Sequence, residues 1–523
     1  MKAPKIIIVI CTVILFGTRC TKLHETIDGN LTAEQIAKDS ASAAVLLQAV
    51  YASLEFTFTS YQQIFALSDI STDEAIVPTR GNNWDDNGIW RVLHLHKWDG
   101  NSIIVTECFN SLGGVIYAAT DMLQYNATVM QKAEARFLRA WAMYWMLDLF
   151  DQVPYRDPGE SVIQPARVRK GMDAYNYILN EITTVMTNLP EGALSVARAN
   201  KDAARVLLMK CYLNKAVYTN RAAPVFPFDA EDMNRVISLA DEIITGASNT
   251  YKLSDIYFDN FSPVNATTGT ENIFTQASNN DGQYLVSFAW LAPLGYLPQY
   301  GGFNGFTTLS NFYNKFEPGD KRRGQVYSYP NSPPNPAQQI NVGFLIGRQY
   351  DIYTGDPTPV NYTPEVKIIE PGPDLNNPGI RPIKYAPDYS TFYFWDAAAS
   401  NQFVYFRLPD VLLMKAEAIL RGGTSTNTGP YGGTPTDIVN YIRTHPSRNA
   451  TRLPSVDPNI IFDERGRELW WENWRRQDMI RFGKFLLPFQ EKDYQSDPKC
   501  LVYPIPNEAL AVNPTYLKQN PGY

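Results

Sequence analysis

The feature that most constrains the fold is a segment, residues 132–150, that is apolar on nearly every face of a helix. Its sequence, KAEARFLRAWAMYWMLDLF, places Leu138, Trp145 and Leu149 on one stripe and other apolar side chains on a second. Such a helix must be buried between other elements. Pro154 marks its end, because proline cannot continue a helix. The sequence therefore predicts a fold in which several helices surround a buried one.

Helical periodicity recurs toward both ends of the chain, whereas the middle differs. The predicted helices are 33–54, 102–124, 132–150, 171–188, 200–218, 231–246, 409–421, 436–444 and 459–482. Residues 330–387 hold 12 of the 36 prolines in 58 positions. Proline-rich sequence of this kind is typical of irregular structure or short strands.

The N-terminus has the features of an export signal. Lys2 and Lys5 precede the apolar run 6–16, which is too short for a membrane span of about 20 residues. Cys20 follows where bacterial lipoproteins are cleaved and acylated. Arg19 departs from the small residue preferred there, so plain secretion is the alternative. We expect a lipoprotein-type signal peptide at 1–19 and a flexible tether at 20–32.

Charge and ring content bear on the class of ligand. The net charge is −7 and no basic block occurs, which argues against nucleic-acid binding. Aromatic residues make up 13% of the chain, and such an excess of flat rings suggests a surface that stacks on a ligand.

Two stretches combine rings with short polar side chains, as a sugar-binding surface requires. Residues 284–316 hold ten aromatics in 33 positions, with Gly301, Gly302 and Gly305 breaking any helix. These aromatics are Tyr284, Phe288, Trp290, Tyr296, Tyr300, Phe303, Phe306, Phe312, Tyr313 and Phe316. Residues 69–101 place Trp84, Trp90 and Trp98 among several Asp and Asn residues. For any single ring, a place in the core is the alternative.

Other chemistry is sparse in the sequence. Glu464, Glu468 and Glu472 at helical spacing could suggest a glycoside hydrolase. Because arginines and three tryptophans interleave with them, we favour a partly buried ion-pair network that fixes helix register. His94 and His96 lack a third metal ligand nearby, so no metal site is expected. A structural calcium ion held by loop carboxylates such as Asp85 and Asp86 is an alternative.

Five segments in order resemble the SusD/RagB family of surface lipoproteins of Bacteroidetes. They are AEARFLRAWAMYWMLDLFDQVPY (133–155), ANKDAARVLLMKCYL (199–213), FRLPDVLLMKAEAIL (406–420), ERGRELWWENWRRQDMIRFGKF (464–485) and YPIPNEALAVNPTYLKQNPGY (503–523). The stretch LSDISTDEAIVPTRGNNWDD (67–86) also resembles members of the family. The resemblance covers essentially the whole chain.

This resemblance implies a mainly α, SusD-like fold, with tetratricopeptide-type helix pairs and an irregular, loop-rich ligand-binding portion containing short strands. We expect one domain at 33–523, with an N-terminal helical part (33–250), a loop-rich insert (251–405) and a C-terminal helical part with a tail (406–523). The resemblance also implies a non-catalytic lipoprotein, anchored to the outer membrane through Cys20. It would capture oligosaccharide or polysaccharide at the cell surface and deliver it to a SusC-like TonB-dependent transporter.

Seven side chains are the predicted glycan ligands. Asp73, Arg80, Trp98 and Asn101 supply an acceptor, a donor, a stacking platform and an amide, and Trp290, Tyr296 and Phe306 lie where ligand rings fall in related proteins. No catalytic residue and no cofactor are expected. Two rival functions are a glycan-active enzyme and a lid that binds peptide or other nutrients, since helical-repeat surfaces suit extended ligands.

Overall fold

Helices dominate the computed structural model, which describes residues 40–192, 196–223, 225–246, 251–277, 284–295, 301–390 and 399–523. In chain order they are α1 (Ser40–Thr59), α2 (Ile89–His94), α3 (Ile103–Met122), α4 (Val129–Phe150), α5 (Gly171–Met186), α6 (Lys201–Thr219), α7 (Ala230–Thr245), α8 (Asn265–Thr268), α9 (Tyr284–Leu291), α10 (Ser310–Tyr313), α11 (Leu408–Leu420), α12 (Pro435–Thr444), α13 (Pro458–Leu469), α14 (Arg475–Arg481) and α15 (Asn507–Val512). The prediction of a mainly α fold is confirmed.

The ends of the long helices follow from local sequence. The Thr128 side chain accepts a hydrogen bond from the backbone N–H of Gln131. The Gln131 side chain accepts one from the backbone N–H of Thr128, so α4 begins with a capping box. The side chains of Asn200 and Asp229 also accept backbone N–H groups, in the first turns of α6 and α7. The predicted helix starts, 132, 200 and 231, lie within three residues of the observed ones.

Successive helices pack on one another along the N-terminal part. Helix α3 packs on α4, α4 on α5, α5 on α6 and α6 on α7, and α11 continues the array against α7. Helix α4 is buried on nearly every side, as its sequence predicts. By length and composition α3 could cross a membrane, but half of its apolar window is buried against neighbouring helices, as in a core helix.

Short antiparallel strands form the sheets, and a π-helix (Ala66–Ile70) and several 3-10 turns accompany them. The strands are β1 (Ala75–Ile76), β2 (Gln152–Tyr155), β3 (Arg167–Lys170), β4 (Asn272–Gln276), β5 (Thr307–Thr308), β6 (Gly324–Gln325), β7 (Val342–Leu345), β8 (Gly347–Tyr350), β9 (Pro357–Tyr362), β10 (Arg381–Ile383) and β11 (Phe403–Arg407). Strands β6, β7 and β10 form a three-stranded sheet, and the others pair as β1–β5, β2–β3, β4–β11 and β8–β9. The proline-rich region 330–387 thus contains the short strands that its composition predicts.

The prediction of one helix over 459–482 is wrong. The segment forms α13 and α14, separated by a turn in which Trp471 and Asn473 have φ angles of 63° and 69°. The backbone N–H of Trp471 donates to the carboxyl of Glu74, and that of Asn473 donates to Asp69 Oδ2 at 3.2 Å. These two buried carboxyls take the N–H groups that helix carbonyls would otherwise accept, and this explains the break.

Candidate functional site

The two aromatic stretches of the sequence meet at one place in the structure. Strand β1 pairs with β5, with Ala75 opposite Thr308 and Ile76 opposite Thr307. The pairing brings the loop after β1 beside the glycine-rich segment before β5. There the indole Nε1 of Trp84 donates to the carbonyl oxygen of Phe303 at 2.6 Å. One surface therefore carries rings from both stretches.

Six rings form what we call the aromatic cluster: Tyr61, Trp84, Trp90, Phe288, Phe303 and Phe306. The Phe306 ring lies at its centre, 5.2 Å from Tyr61, 5.4 Å from Trp84 and 5.4 Å from Trp90 between centroids. Phe288 lies 4.8 Å from Tyr61 and 5.6 Å from Phe303. The spacing is that of mutually packed rings.

The cluster has a buried floor and a partly exposed rim. Trp90 and Phe306 are each 1% exposed and form the floor. Tyr61, Trp84, Phe288 and Phe303 are partly exposed residues and form the rim. A rim of this kind can stack against the apolar C–H faces of a sugar ring.

The loop that carries Trp84 is held in an unusual backbone conformation. Trp84 has a φ of 58°, and Asp86 and Asn87 follow at 41° and 54°, in the left-handed region that bulky residues rarely adopt. Side-chain bonds hold the loop: Arg91 Nη1 donates to Asp85 Oδ1 at 2.6 Å, and Trp90 Nε1 donates to Asp86 Oδ2 at 2.7 Å. Strained backbone fixed by its surroundings is a pointer to function.

Polar side chains border the aromatic rim. Asn82, Asn83, Asp86 and Asn87 are exposed and stand next to Trp84 in the loop. Amides and carboxylates of this kind can donate to and accept from sugar hydroxyls, directly or through water. The arrangement therefore combines stacking surface with hydrogen-bonding groups.

Of the predicted ligands, Phe306 lies in the aromatic cluster, but as part of its floor. Trp290 is 1% exposed and belongs to the core. Tyr296 lies outside the described residues. A ring that neighbours cover on all sides offers no face to a sugar, so these positions do not support the stacking contacts predicted for Phe306 and Trp290. Direct glycan contact by these residues stays a prediction.

Trp98 and Asn101 lie outside the aromatic cluster. Trp98 is 3% exposed, its Nε1 donates to the hydroxyl of Tyr523 at 2.6 Å, and its ring lies 4.4 Å from that of Tyr503. It thus anchors the C-terminal tail, which does not support the predicted platform. Asn101 is exposed and accepts from Asn507 Nδ2 at 2.8 Å, beside a cavity of about 370 Å³.

Asp73 and Arg80 already have partners within the protein. Asp73 accepts two bonds from Arg475, at 2.7 and 2.8 Å. Burial alone would raise the pKa of Asp73, but Arg475 outweighs it and the pKa lies below its ordinary value. Arg80 is buried and donates to the carbonyls of Leu375 and Pro378 at 3.0 and 2.7 Å. Both positions favour a structural contribution over direct ligand contact.

The sequence does not single out the four rim residues. Trp84, Phe288 and Phe303 stand within the two aromatic stretches, but nothing in the sequence separates rim rings from floor rings. Tyr61 stands in the segment TSYQQIF, which carries no recognisable signal. Only the pairing of β1 with β5 shows that these rings share one surface.

The three glutamates that suggested hydrolysis are buried in ion pairs, as predicted, although burial is complete rather than partial. Arg322 Nη1 donates to Glu464 at 2.6 Å and to Glu468 at 3.0 Å. Arg407 donates to Glu472 at 2.7 and 2.8 Å. Other partners in this ion-pair network are Glu271, Lys384, Arg443 and Arg448. Because neighbouring guanidinium groups already engage these carboxylates, they do not form the open cleft that glycoside hydrolysis requires.

The residues considered as metal ligands are also engaged. His94 and His96 are buried, and both rings hydrogen-bond to protein groups, among them the carbonyls of Ile70 and Ser71. Among the described residues, no group of three or more His, Cys, Asp or Glu side chains could hold a metal ion. The alternative of a calcium ion at Asp85 and Asp86 is untested, and their bonds to Arg91 and Trp90 do not favour it.

Comparisons with known proteins agree with this architecture. The model of the SusD family matches residues 256–523. The starch-binding protein SusD of Bacteroides thetaiotaomicron is 24% identical over 464 residues, which cover 81% of this chain and 77% of that protein.

Two solved structures show the same fold. Surface glycan-binding protein A from Bacteroides uniformis superposes with a TM-score of 0.70 at 17% identity, covering 92% of this chain and 99% of that one. The protein of the same name from Bacteroides thetaiotaomicron, in complex with laminarihexaose, superposes with a TM-score of 0.66 at 18% identity, covering 92% and 99%. At such identities the likeness concerns the fold alone.

Proposed function

This chain belongs to the SusD family, and we propose that it is a non-catalytic glycan-binding protein of the cell surface. The observation that carries the proposal is the partly exposed rim of the aromatic cluster, bordered by amides and carboxylates. Relatives with this fold are described as binding starch and as holding laminarihexaose. Sugar rings would stack on Trp84, Tyr61 and Phe303, and their hydroxyls would bond to the neighbouring polar side chains.

Binding at this surface should be weak for a single oligosaccharide. The rim offers a few stacking contacts and hydrogen bonds that water can also make. Association costs several kcal/mol in lost freedom, so dissociation constants of roughly micromolar to millimolar are expected. The distorted loop at Trp84 lowers part of this cost, because the ring is already oriented before the ligand arrives.

We also propose that the protein works with a SusC-like TonB-dependent transporter in the outer membrane. Acylation of Cys20, which lies outside the described residues, would anchor it there. Tethering beside a transporter raises the effective concentration of bound glycan at the transporter entrance, which compensates for weak affinity. Co-purification of the full-length protein with a transporter from detergent-solubilised outer membranes tests this part.

Titration calorimetry with Trp84→Ala tests the binding surface. The chain from Thr21 is titrated with malto-oligosaccharides, laminari-oligosaccharides and a wider glycan panel. Saturable binding to one class is expected, and Trp84→Ala should weaken it about tenfold or more, since stacking on Trp is a main source of affinity. New reducing ends should not appear during the incubation.

Tyr117→Ala serves as the matched control. Tyr117 is 51% exposed on α3, outside the aromatic cluster, so its removal should leave glycan affinity unchanged. If Trp84→Ala binds like the parent while remaining folded, the proposed surface is wrong. If no glycan binds but peptides do, the rival function as a peptide-binding lid gains support.

A further inference from the structure

A second cavity, of about 530 Å³, lies between the segment that joins α6 to α7 and the C-terminal helices. It is bounded by the segment between α6 and α7, by Arg421 at the end of α11, by the start of α13 and by residues 480–487. It shares no lining residue with the aromatic cluster. Its volume falls in the range of sites that hold small organic molecules.

Rings and aliphatic side chains form most of the cavity wall. Phe226, Phe228, Phe482, Leu486 and Leu487 line it. Leu487 is 45% exposed, so the cavity opens to solvent along that side. An apolar body of moderate size would therefore find contact on several sides and a route of entry.

The charged residues that line the cavity are all cationic. Among the described lining residues, Arg221, Arg421 and Arg481 are present and none is Asp or Glu. Arg221 donates to Asp151 and to backbone carbonyls. Arg481 donates to the carboxylates of Glu417 and Asp478. These two guanidinium groups are committed to the fold.

Arg421 differs from the other two arginines because it keeps an unused donor. Its Nε donates to Glu417 Oε1 at 2.7 Å, but its buried Nη2 has no hydrogen-bond partner in the structure. Its guanidinium carbon lies 3.7 Å from the centre of the Phe228 ring and 4.7 Å from that of Phe482. Within the described residues the Arg421 side chain donates from Nε alone, whereas Arg221 and Arg481 donate from all three of their side-chain nitrogens. The Arg421 guanidinium is therefore the one of the three that can still pair with an anion.

We propose that this cavity binds a small amphipathic anion, whose apolar body packs on the phenylalanine rings and whose carboxylate or sulfonate pairs with Arg421. Apolar walls favour the body of such a molecule, and the cationic lining favours its head group over a neutral or positive one. Burial lowers the pKa of Arg421, and the nearby carboxylate of Glu417 partly offsets this effect. A bound anion would act in the same direction as Glu417 and favour the charged guanidinium.

A pair of probes that differ only in charge tests the proposal. The chain from Thr21 is titrated by calorimetry with 2-naphthalenesulfonate and with 2-naphthalenemethanol. One saturable site is expected for the sulfonate, with affinity about tenfold or more above that of the alcohol. In Arg421→Gln the sulfonate should bind only as tightly as the alcohol does, whereas alcohol binding should be unchanged.

Two further variants separate a local effect from misfolding. Leu487→Glu places a carboxylate at the exposed edge of the cavity and should weaken sulfonate binding without affecting the core. Arg235→Gln removes an exposed cation on α7 that does not line the cavity, and should bind the sulfonate like the parent. Absence of saturable binding, equal affinity for the two probes, or unchanged sulfonate affinity in Arg421→Gln and Leu487→Glu would overturn the proposal. Trp84→Ala should not alter sulfonate binding, so the proposal for the glycan surface and the proposal for this cavity are tested independently.

Discussion

At the scale of single residues, the ion-pair network shows how burial changes the chemistry of a carboxylate. Glu464 is fully buried and accepts from Arg322 at 2.6 Å and from Arg443 at 2.8 Å. Burial alone would raise its pKa, but Arg322, Arg467 and Arg443 outweigh burial and lower the pKa to about 2. The folded state therefore holds this carboxylate ionised far below its ordinary pKa of 4.5.

Glu464→Gln should destabilise the protein at neutral pH by about 3–5 kcal/mol, because it leaves buried arginines uncompensated. A folded-state pKa below the unfolded one gives stability that is present above about pH 4.5 and is lost as the pH falls toward 2. The difference in free energy of unfolding between parent and variant should therefore shrink over that range. Urea unfolding between pH 7 and pH 3 measures it.

Glu231→Gln provides the control for this measurement. Glu231 is 79% exposed and pairs with Arg235 on the surface of α7. Its loss should change stability by less than about 0.5 kcal/mol at any pH, as is typical of exposed pairs. An equal loss in the two variants would contradict the importance assigned to the buried network.

The identities of the residues predicted which kinds of interaction they make better than they predicted where in the fold each side chain lies. The interleaving of Glu, Arg and Trp in 464–476 predicted an ion-pair network, and the structure confirms it. Trp98, by contrast, looked suitable for stacking but anchors Tyr523 at the C-terminus. A contact between positions 425 residues apart depends on tertiary packing, which composition and spacing do not encode.

At the scale of elements, the aromatic cluster forms because the loop after β1 packs against the glycine-rich segment before β5. Trp84 fits beside the glycine-rich segment only because Gly305 lacks a side chain. A Cβ atom at position 305 would lie 2.4 Å from two carbon atoms of the Trp84 indole. The close approach thus depends on glycine at this position.

Gly305→Ala should displace the Trp84 ring and weaken glycan binding. Overpacking of this kind typically costs about 1–3 kcal/mol of stability. Thermal unfolding measures that cost, and calorimetric titration measures the loss of binding. The loss should resemble that of Trp84→Ala, because both changes remove the oriented ring.

Gly113→Ala makes the same chemical change in a different environment. Gly113 lies inside α3, and a Cβ atom there would meet nothing within 4 Å. Alanine should raise helix stability by about 0.5–1 kcal/mol and leave glycan binding unchanged. If the two substitutions shift the melting temperature in the same direction, the packing argument for Gly305 is wrong.

Helices were easier to predict than loops for a physical reason. The helix α4 has a stripe pattern and a capping box within its own sequence. The turn at Trp471 instead depends on Glu74 and Asp69, about 400 positions earlier in the chain. Local patterns therefore predicted most helix bounds to within a few residues, although the first helix, predicted to end at residue 54, extends to Thr59. The break between α13 and α14 and the assembly of the rim required tertiary structure.

At the scale of the whole molecule, the two ends of the chain are interleaved. Arg475 pairs with Asp73, and Arg476 Nη1 donates to Asp148 Oδ2 at 3.0 Å. The Phe406 ring packs 4.9 Å from Trp141 of α4. The part matched by the family model, 256–523, therefore shares its core and its ion pairs with the N-terminal helices.

Residues 256–523 expressed alone should not reach a native fold. The fragment would leave Arg475 and Arg476 without their N-terminal carboxylate partners and would expose rings that α4 covers. Differential scanning calorimetry should show no cooperative transition for the fragment, in contrast to the chain from Thr21. A fragment that unfolds cooperatively and shows native near-ultraviolet circular dichroism would refute this expectation and establish a separable domain.

The C-terminal tail has a consequence for the timing of folding during synthesis. Asn520 donates to the carbonyls of Phe150 and Tyr503, and the hydroxyl of Tyr523 accepts from Trp98. Phe150 precedes Asn520 by 370 residues, and Trp98 precedes Tyr523 by 425. The packing of the N-terminal helices is therefore completed only after residues 520–523 have been synthesised, and a nascent chain that stops short of them leaves these contacts unmade.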